Sequence, residues 1–203
     1  MMCFKCKKKP ASISLKHIPG KLCNSCFIKV IEKRVRKDVR LKRLFSRDDH
    51  ILILDDKTKE SIVSQYLLNS ILNHLPVTIF IFEIEDRFNL DEKNLKAIVR
   101  TGCINKIVLP WSLDDEGECF LSKMFGKLDF EKQKKPERIK LLRNVSEKEI
   151  EVFAKIKRFK YKKLKPYNKD IREMLNTLEK KHPEIKFSVL KSFDSLVGII
   201  DQN

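Results

Sequence analysis

The chain has 203 residues, which fits one main domain with a small appendage. Hydrophobic residues make up 42% and charged residues 35%, so the chain can bury a core, and this excludes wholesale disorder. Forty-four Lys and Arg against 28 Asp and Glu leave a net charge of +16, which favours a phosphate-bearing partner such as nucleic acid. No apolar stretch reaches the roughly 20 residues of a membrane span, and the N-terminus has no apolar leader. We therefore expect a cytoplasmic protein without a membrane partner.

Four of the six cysteines form two Cys-x-x-Cys pairs, with sixteen residues between them: Cys3, Cys6, Cys23 and Cys26. Two such pairs can place four thiolates around one ion, the tetrahedral arrangement that zinc prefers. A filled cage has no open position for a substrate, so the prediction is a structural zinc site in a module of residues 1–28. An iron–sulfur cluster is the chemical alternative, whereas two disulfides are disfavoured in a reducing compartment. We expect Cys103 and Cys119 to be buried thiols.

The positive charge is concentrated in residues 1–47, with +13, and residues 131–169, with +10. Apolar residues recur at helical spacing from Phe27 to Val39, which predicts a helix that continues into a basic linker of residues 29–47. Clustered charge is typical of a surface that follows a phosphate backbone. A solvated helix face and an anionic membrane surface are alternatives. The predicted RNA contacts are Lys29, Lys33, Arg34, Arg36, Lys37, Arg40, Lys42 and Arg43, and from the second segment Arg138, Lys140 and Arg143.

Residues 48–203 alternate between strand and helix patterns, which predicts an α/β domain with a parallel sheet. The predicted strands cover 50–55, 77–84 and 106–109. The predicted helices cover 59–75 and 91–101, and further helices start near Leu113, Ser146 and Asn168. The segment 77–84 is apolar along nearly its whole length, as is typical of a strand covered on both faces. Ligands of such sheets bind beyond the carboxyl ends of the strands, so the turns after Leu54, Ile84 and Leu109 are the candidate site.

Two segments beyond these strands carry a family resemblance. Pro110-Trp-Ser-Leu-Asp-Asp-Glu116 resembles the Gly-His-Asn-Leu-Asp-Asp-Glu motif of the PP-loop tRNA thiolation proteins, and Arg138-Ile-Lys-Leu-Leu-Arg143 is similar to their Arg-Ile-Lys-Pro-Leu segment. The order of parts also agrees, with a cysteine knuckle, a basic helix and then an α/β domain. The resemblance implies a PP-loop fold and enzymes that adenylate a uridine with ATP and replace its C2 oxygen by sulfur. It places the family motif at Trp111, Leu113, Asp114, Asp115 and Glu116.

The chain departs from this family at the residues that carry the chemistry. The family loop Ser-Gly-Gly-Lys-Asp-Ser corresponds to Asp56, Lys57, Thr58, Lys59, Glu60 and Ser61. Both glycines are missing, so close approach of the backbone to a pyrophosphate is hindered, and ATP binding is not expected. The two family cysteines are also absent, one from the shortened segment 85–90 and one at Lys165.

These losses make the chain most similar to the cytoplasmic tRNA 2-thiolation protein subunit 2 family. That resemblance implies a pseudoenzyme subunit that binds tRNA, forms a heterodimer with an active PP-loop subunit and serves modification of the wobble uridine U34. It also implies a ubiquitin-related sulfur carrier as a further partner. Two alternatives stay open. One is an ATP-dependent tRNA sulfurtransferase that uses Lys59, Ser61, Asp114 and Asp115, and the other is a zinc-ribbon nucleic-acid binder.

Overall fold

A four-stranded parallel sheet forms the centre of the molecule. The structure is a computed structural model that describes residues 1–15, 18–126 and 136–200, with side chains through 196. The strands are β1 (Ile13–Ser14), β2 (Lys21–Leu22), β3 (His50–Asp55), β4 (Thr78–Glu83), β5 (Lys106–Ser112) and β6 (Glu137–Leu142). The helices are α1 (Asn24–Lys42), α2 (Lys59–Leu72), α3 (Glu92–Thr101), α4 (Leu113–Gly126), α5 (Glu147–Lys157), α6 (Lys169–Lys181) and α7 (Ile185–Ile200).

The sheet has the order β4-β3-β5-β6, and every pair of neighbours is parallel. Successive side chains of β3 point to opposite faces, so Ile51 and Ile53 join the core under α1, α2 and α5, whereas Leu52 and Leu54 pack toward Leu95 of α3. Helices therefore cover both faces, and the prediction of an α/β fold with a parallel sheet is confirmed.

Helix α1 joins the cysteine module to the sheet. Its apolar stripe is buried in the same core as Ile51 of the central strand and Phe153 of α5. The helix begins at Asn24 and includes Cys26, so it runs through residue 28, where the sequence predicts a boundary. The division into 1–28, 29–47 and 48–203 stays a prediction.

Three features differ from the sequence-based expectation. Strand β6 is not among the predicted elements, because its Lys and Arg residues interrupt its apolar pattern. Helix α7 is not among them either. The expectation that the strand at 77–84 is covered on both faces is wrong. Strand β4 lies at the edge of the sheet, and Phe80 and Ile81 are 39% and 58% exposed. Within the described residues, no helix is both long enough and apolar enough to cross a membrane.

Candidate functional site

The loop between β3 and α2 lies at the carboxyl edge of the sheet, as the sequence predicts, but three backbone N–H groups of this turn are already bonded to its own side chains. The Lys57 N–H donates to Asp55 Oδ1 at 2.8 Å, and the Thr58 N–H donates to Asp56 Oδ1 at 3.1 Å. The Ser61 N–H donates to Thr58 Oγ1 at 3.4 Å, so Thr58 caps α2. Lys57 has a φ of 61°, a left-handed conformation that glycine adopts at lower cost. In this conformation the side chains of the turn satisfy these three donors.

Arg87 lies in the middle of this edge and connects three of the turns. Its side chain is 3% exposed, and its guanidinium donates to Asp56 at 2.7 Å, Glu60 at 3.1 Å and Asp115 at 3.2 Å. It also donates to Thr58 Oγ1 and, at 2.5 Å, to the carbonyl oxygen of Pro110. Burial opposes its charge, but the three carboxylates outweigh burial and raise the pKa of Arg87. Sequence reasoning missed this residue, because a single Arg in a short acidic segment has no distinctive spacing.

The motif carboxylates after β5 hold the C-terminal helices in place. Asp114 accepts from Lys186 Nζ at 2.5 Å and from the Glu147 N–H at 2.7 Å. Asp115 accepts from Arg172 at 2.7 Å and, at 2.8 Å, from both the N–H and the hydroxyl of Ser112. Burial alone would raise the pKa of Asp115, but the two guanidinium groups and Ser112 keep it below its usual range. These residues therefore organise the fold around the site.

The other residues of the family motif, Trp111, Leu113 and Glu116, also have contacts within the chain. Leu113 is buried, and Glu116 is bound by Lys140 at 2.5 Å, with Arg143 at 3.9 Å. The Lys140 ammonium also lies 4.3 Å from the centre of the Trp111 ring, a distance typical of a cation–π contact. Lys59 of the loop pairs with Glu147 at 2.8 Å and Glu60 at 3.2 Å.

An open pocket of about 410 Å³ lies beside this cluster, between the turn after β4 and the segment before α6. The ring of Phe88 lies 5.4 Å from that of Tyr167 and 5.5 Å from that of Trp111, measured between ring centres. The pocket is lined by Asp86, Phe88, Lys163, Leu164, Lys165, Pro166 and Tyr167. It therefore combines aromatic faces with ammonium groups, which suits a planar group attached to a phosphate chain.

The predicted metal ligands come together. The sulfur atoms of Cys3, Cys6, Cys23 and Cys26 all lie within 4.8 Å of one another, and all four thiols are free. Burial alone would raise the pKa of Cys3, but backbone N–H groups of Cys6 and Cys23 outweigh it and lower the value to about 6. Burial and the neighbouring thiols raise the pKa of Cys26 to about 12. A cation would stabilise the thiolates together, so this donor set fits a tetrahedral thiolate ion such as zinc or an iron–sulfur cluster.

The predicted RNA-contacting residues divide into two groups. Seven are exposed to solvent, namely Lys29, Lys33, Arg36, Lys37, Arg40 and Lys42 on α1 and Arg43 at its C-terminal cap, although Arg36 also donates to Ser70 and Lys42 pairs with Asp38. The exposed row on one side of α1 consists of Lys29, Lys33, Arg36, Lys37 and Arg40. Arg34 differs from the prediction of an RNA contact, because its side chain is partly buried and binds Glu149 at 2.9 Å.

Three further basic residues are paired within the chain. Arg138 pairs with Glu92 at 2.5 Å. Lys140 and Arg143 contact Glu116 as described, and Arg143 also binds Asp194 at 2.5 Å. Residues 131–135, part of the predicted basic segment, lie outside the described residues. The expectation of two buried thiols is wrong for Cys103, which is exposed, while Cys119 is partly buried.

Comparison with known proteins gives relatives of one kind. A tRNA-5-methyluridine(54) 2-sulfurtransferase of Thermotoga maritima is 38% identical over 71 residues, which cover 35% of this chain and 23% of that protein. A probable sulfurtransferase of Methanocaldococcus jannaschii is 24% identical over 255 residues, which cover 89% of this chain and 74% of that protein. No family model matches.

The fold is that of a PP-loop tRNA thiolase. The U34-tRNA thiolase NcsA from Methanococcus maripaludis, solved with its [4Fe-4S] cluster, superposes with a TM-score of 0.79 and 21% sequence identity, covering 98% of this chain and 87% of that one. The comparisons support a relationship to tRNA sulfurtransferases. The finer resemblance to the subunit 2 family stays a prediction, as do an active partner subunit and a sulfur carrier.

The expectation of a pseudoenzyme is contradicted. The Thermotoga relative and the structural neighbour are both named as enzymes that thiolate tRNA, and these comparisons indicate an enzyme. Sequence reasoning went wrong by treating the loss of the loop glycines and of two cysteines as the loss of all chemistry. The cysteine cluster is confirmed as a group that could bind a metal, whereas zinc as its identity stays a prediction.

Proposed function

We propose that this protein is an enzyme of tRNA uridine thiolation, a tRNA sulfurtransferase. The observation that carries the proposal is the pocket of Phe88 and Tyr167, which lies at the carboxyl edge of a sheet with the thiolase fold. Ligands of parallel sheets bind at this edge. The names of the Thermotoga relative and of the structural neighbour support tRNA as the substrate.

The pocket suits a uridine turned out of its stack. An unstacked base can lie against an aromatic ring, which contributes about 1–3 kcal/mol per base. Lys163 and Lys165 line the same pocket, so their ammonium groups can contact the uridine carbonyl oxygens or the adjacent phosphates. None of the lining residues is a cysteine. The sulfur that replaces the carbonyl oxygen would therefore come from a donor molecule.

The exposed row on α1 would hold the tRNA backbone. Lys29, Lys33, Lys37 and Arg40 lie on one side of this helix, around a shallow depression of about 530 Å³. Phosphate contacts position a nucleic acid without reading its sequence. The helix is anchored by its buried apolar stripe and by the cysteine module, so the row has a defined orientation relative to the sheet.

The proposal is tested by deleting the gene in its host and measuring 2-thiouridine in bulk tRNA by nucleoside mass spectrometry. We expect loss of a thiolated uridine, and sequencing of tRNA fragments would show whether it is the predicted U34 or another position. Re-expression of Phe88→Ala should restore thiolation poorly, because the pocket loses a stacking face. Phe125→Ala is the matched control, since Phe125 is 70% exposed at the end of α4. Unchanged thiolation in the deletion strain would refute the proposal and favour a nucleic-acid binder.

A second assay tests the use of ATP. The isolated chain is incubated with tRNA and ATP, and pyrophosphate release is measured. Release that depends on tRNA would identify ATP as the activator of the uridine carbonyl, through a loop conformation other than the self-bonded one. Thiolation without pyrophosphate release would exclude adenylation by ATP as the step that activates the uridine carbonyl. We also propose that the cysteine cluster holds structural zinc. Elemental analysis, together with the visible absorption of iron–sulfur centres, distinguishes zinc from an iron–sulfur cluster.

A further inference from the structure

The cysteine module carries an exposed aromatic ring that takes no part in the proposed uridine pocket. Phe4 lies between Cys3 and Cys6 in sequence and is 54% exposed. Single apolar residues are common on protein surfaces and have no function by themselves. Phe4 differs from such residues in the way its ring is held and in the charge around it.

Gly20 holds the Phe4 side chain from one side. A β-carbon at position 20 would lie 3.1 Å from Phe4 Cβ and 3.2 Å from Cγ and Cδ2, so glycine leaves the ring the room it needs. Gly20 also has a φ of 97°, which residues with a side chain rarely adopt. The Phe4 N–H donates to the carbonyl oxygen of Lys21 at 2.9 Å and fixes the backbone at the same place. The ring is therefore held in position, while about half of the residue stays open to solvent.

The module has five exposed lysines, namely Lys5, Lys7, Lys8, Lys9 and Lys21. Backbone hydrogen bonds bring them to Phe4. The Lys7 N–H donates to the carbonyl oxygen of Cys3 at 2.8 Å, and the Cys3 N–H donates to that of Lys9 at 2.9 Å. Residues 1–31 contain no Asp or Glu, so these ammonium groups have no carboxylate partner within the module. Phe4 and the five lysines are called the module tip below.

An aromatic face among unpaired ammonium groups suits an unpaired base of RNA. Such a base stacks on an aromatic side chain, and ammonium groups contact the phosphates on either side of it. A base-paired helix offers no free base, because its bases are stacked on one another. An anionic membrane surface is bound best by an amphipathic helix with a wide apolar face, whereas the tip consists of turns around one ring. The tip is therefore better suited to RNA than to a membrane.

The tip and the basic row on α1 belong to one packed unit. Helix α1 begins directly after Cys23, and Cys3 and Cys23 share a buried core with Ile31 of that helix. We propose that the module tip binds an unpaired base of RNA, with Phe4 stacked on the base and the lysines on its flanking phosphates. The tip shares no residue with the pocket of Phe88, so the RNA would be held at two bases. The inference rests on the proposed function for the identity of the RNA, since the loops of tRNA supply unpaired bases.

Fluorescence anisotropy of the full chain with two labelled RNAs tests the site. One probe is a hairpin with an unpaired loop, and the other is a blunt duplex with the same number of phosphates. We expect Phe4→Leu to bind the hairpin about 5- to 150-fold more weakly, the range for loss of one base–aromatic stack. Its affinity for the duplex should stay unchanged, because leucine removes no charge. Phe125→Leu is the matched control, since Phe125 is 70% exposed on α4, and this variant should bind both RNAs as the wild type does.

Two further variants separate stacking from charge. Phe4→Tyr keeps a stacking face and should bind the hairpin as the wild type does. The double variant Lys8→Gln and Lys9→Gln should weaken binding of both RNAs and flatten its salt dependence. Photocrosslinking of a 5-bromouridine hairpin loop to the wild-type chain needs no variant, so it is independent of any effect of Phe4→Leu on the cysteine cluster. We expect a crosslinked peptide that contains Phe4.

Three results would overturn the proposal. The first is crosslinking of the loop only outside the module, and the second is an equal loss of hairpin and duplex binding in Phe4→Leu. The third is a Phe4→Leu chain that binds the hairpin as the wild type does but no longer binds phosphatidylserine vesicles, which would assign the tip to a membrane. Because thiolation is not measured, a chain that thiolates tRNA but binds the hairpin without Phe4 would lose only this inference. Conversely, hairpin binding that depends on Phe4 in a chain without a thiolation role would refute only the proposed function.

Discussion

Replacing Arg87 by Met tests the most concentrated set of contacts in the structure. The change keeps an apolar stem of similar length but removes every donor of the guanidinium. Asp56, Glu60 and Asp115 would then stay buried at 0%, 5% and 6% exposure with less compensation. Asp115 keeps Arg172 and Ser112, whereas Asp56 keeps only donors from Thr58. Removing one partner of a buried ion pair costs about 3–5 kcal/mol, and we expect a loss in that range for Arg87→Met.

The assay is urea unfolding followed by circular dichroism, with the free energy of unfolding extrapolated to water. Arg138→Met is the matched control, because Arg138 and its partner Glu92 are 41% and 50% exposed and a surface pair is worth about 0–1 kcal/mol. Arg87→Met combined with Asp56→Asn should recover part of the loss, since the stranded charge is removed. A loss below about 1 kcal/mol for Arg87→Met, equal to that of the control, would refute the assignment of this ion-pair cluster as a structural element.

Three further predictions address the metal, the tRNA surface and acid stability. Cys23→Ser should release the bound metal and destabilise the N-terminal module, as measured by elemental analysis and thermal melting, whereas the exposed Cys103→Ser should change neither. Gln at Lys29, Lys33, Lys37 and Arg40 of α1 should weaken tRNA binding and flatten its salt dependence in filter assays. Gln at Lys93 and Lys96 of α3 should leave tRNA binding unchanged. The pKa of Asp115 is lowered on folding, so its stabilising effect is present above the ordinary carboxylate pKa and is lost as the pH falls through the folded value. The urea midpoint of unfolding should fall as the pH is lowered across that window, and it should depend less steeply on pH in Asp115→Asn. An equally steep dependence in this variant would contradict the stabilising role of the Asp115 carboxylate.

Local patterns in the chain predict much of the fold. The strand at His50–Asp55 has the predicted bounds, because a short apolar run flanked by charged residues marks where a strand begins and ends. The helix after Ser146 is also predictable, since Ser146 and Glu149 form a capping box whose two residues are three apart in sequence. The cysteine spacing likewise predicts the four-thiol cluster, because the two cysteines of each pair are only three positions apart in sequence.

The predictions that were wrong concern contacts between residues that are distant in sequence. An apolar strand reads alike at the centre and at the edge of a sheet, so the exposure of Ile81 was decided only when β4 took the outer position. The sequence around a basic residue also does not show whether its side chain is solvated or paired with a carboxylate. Arg34 is 115 positions from Glu149, so their ion pair has no local signal.

The sequence by itself determined the α/β class, the cysteine cluster and the basic face of α1, because each is a periodicity or a spacing within one segment. Only the tertiary structure decided that Arg87 fills the centre of the carboxyl edge and that Phe88 and Tyr167 share a pocket. These contacts join segments that are tens of residues apart in sequence. Arg87 reaches Asp56 because parallel strands bring their carboxyl ends to one edge of the sheet, and Phe88 meets Tyr167 because the segment before α6 packs at that edge.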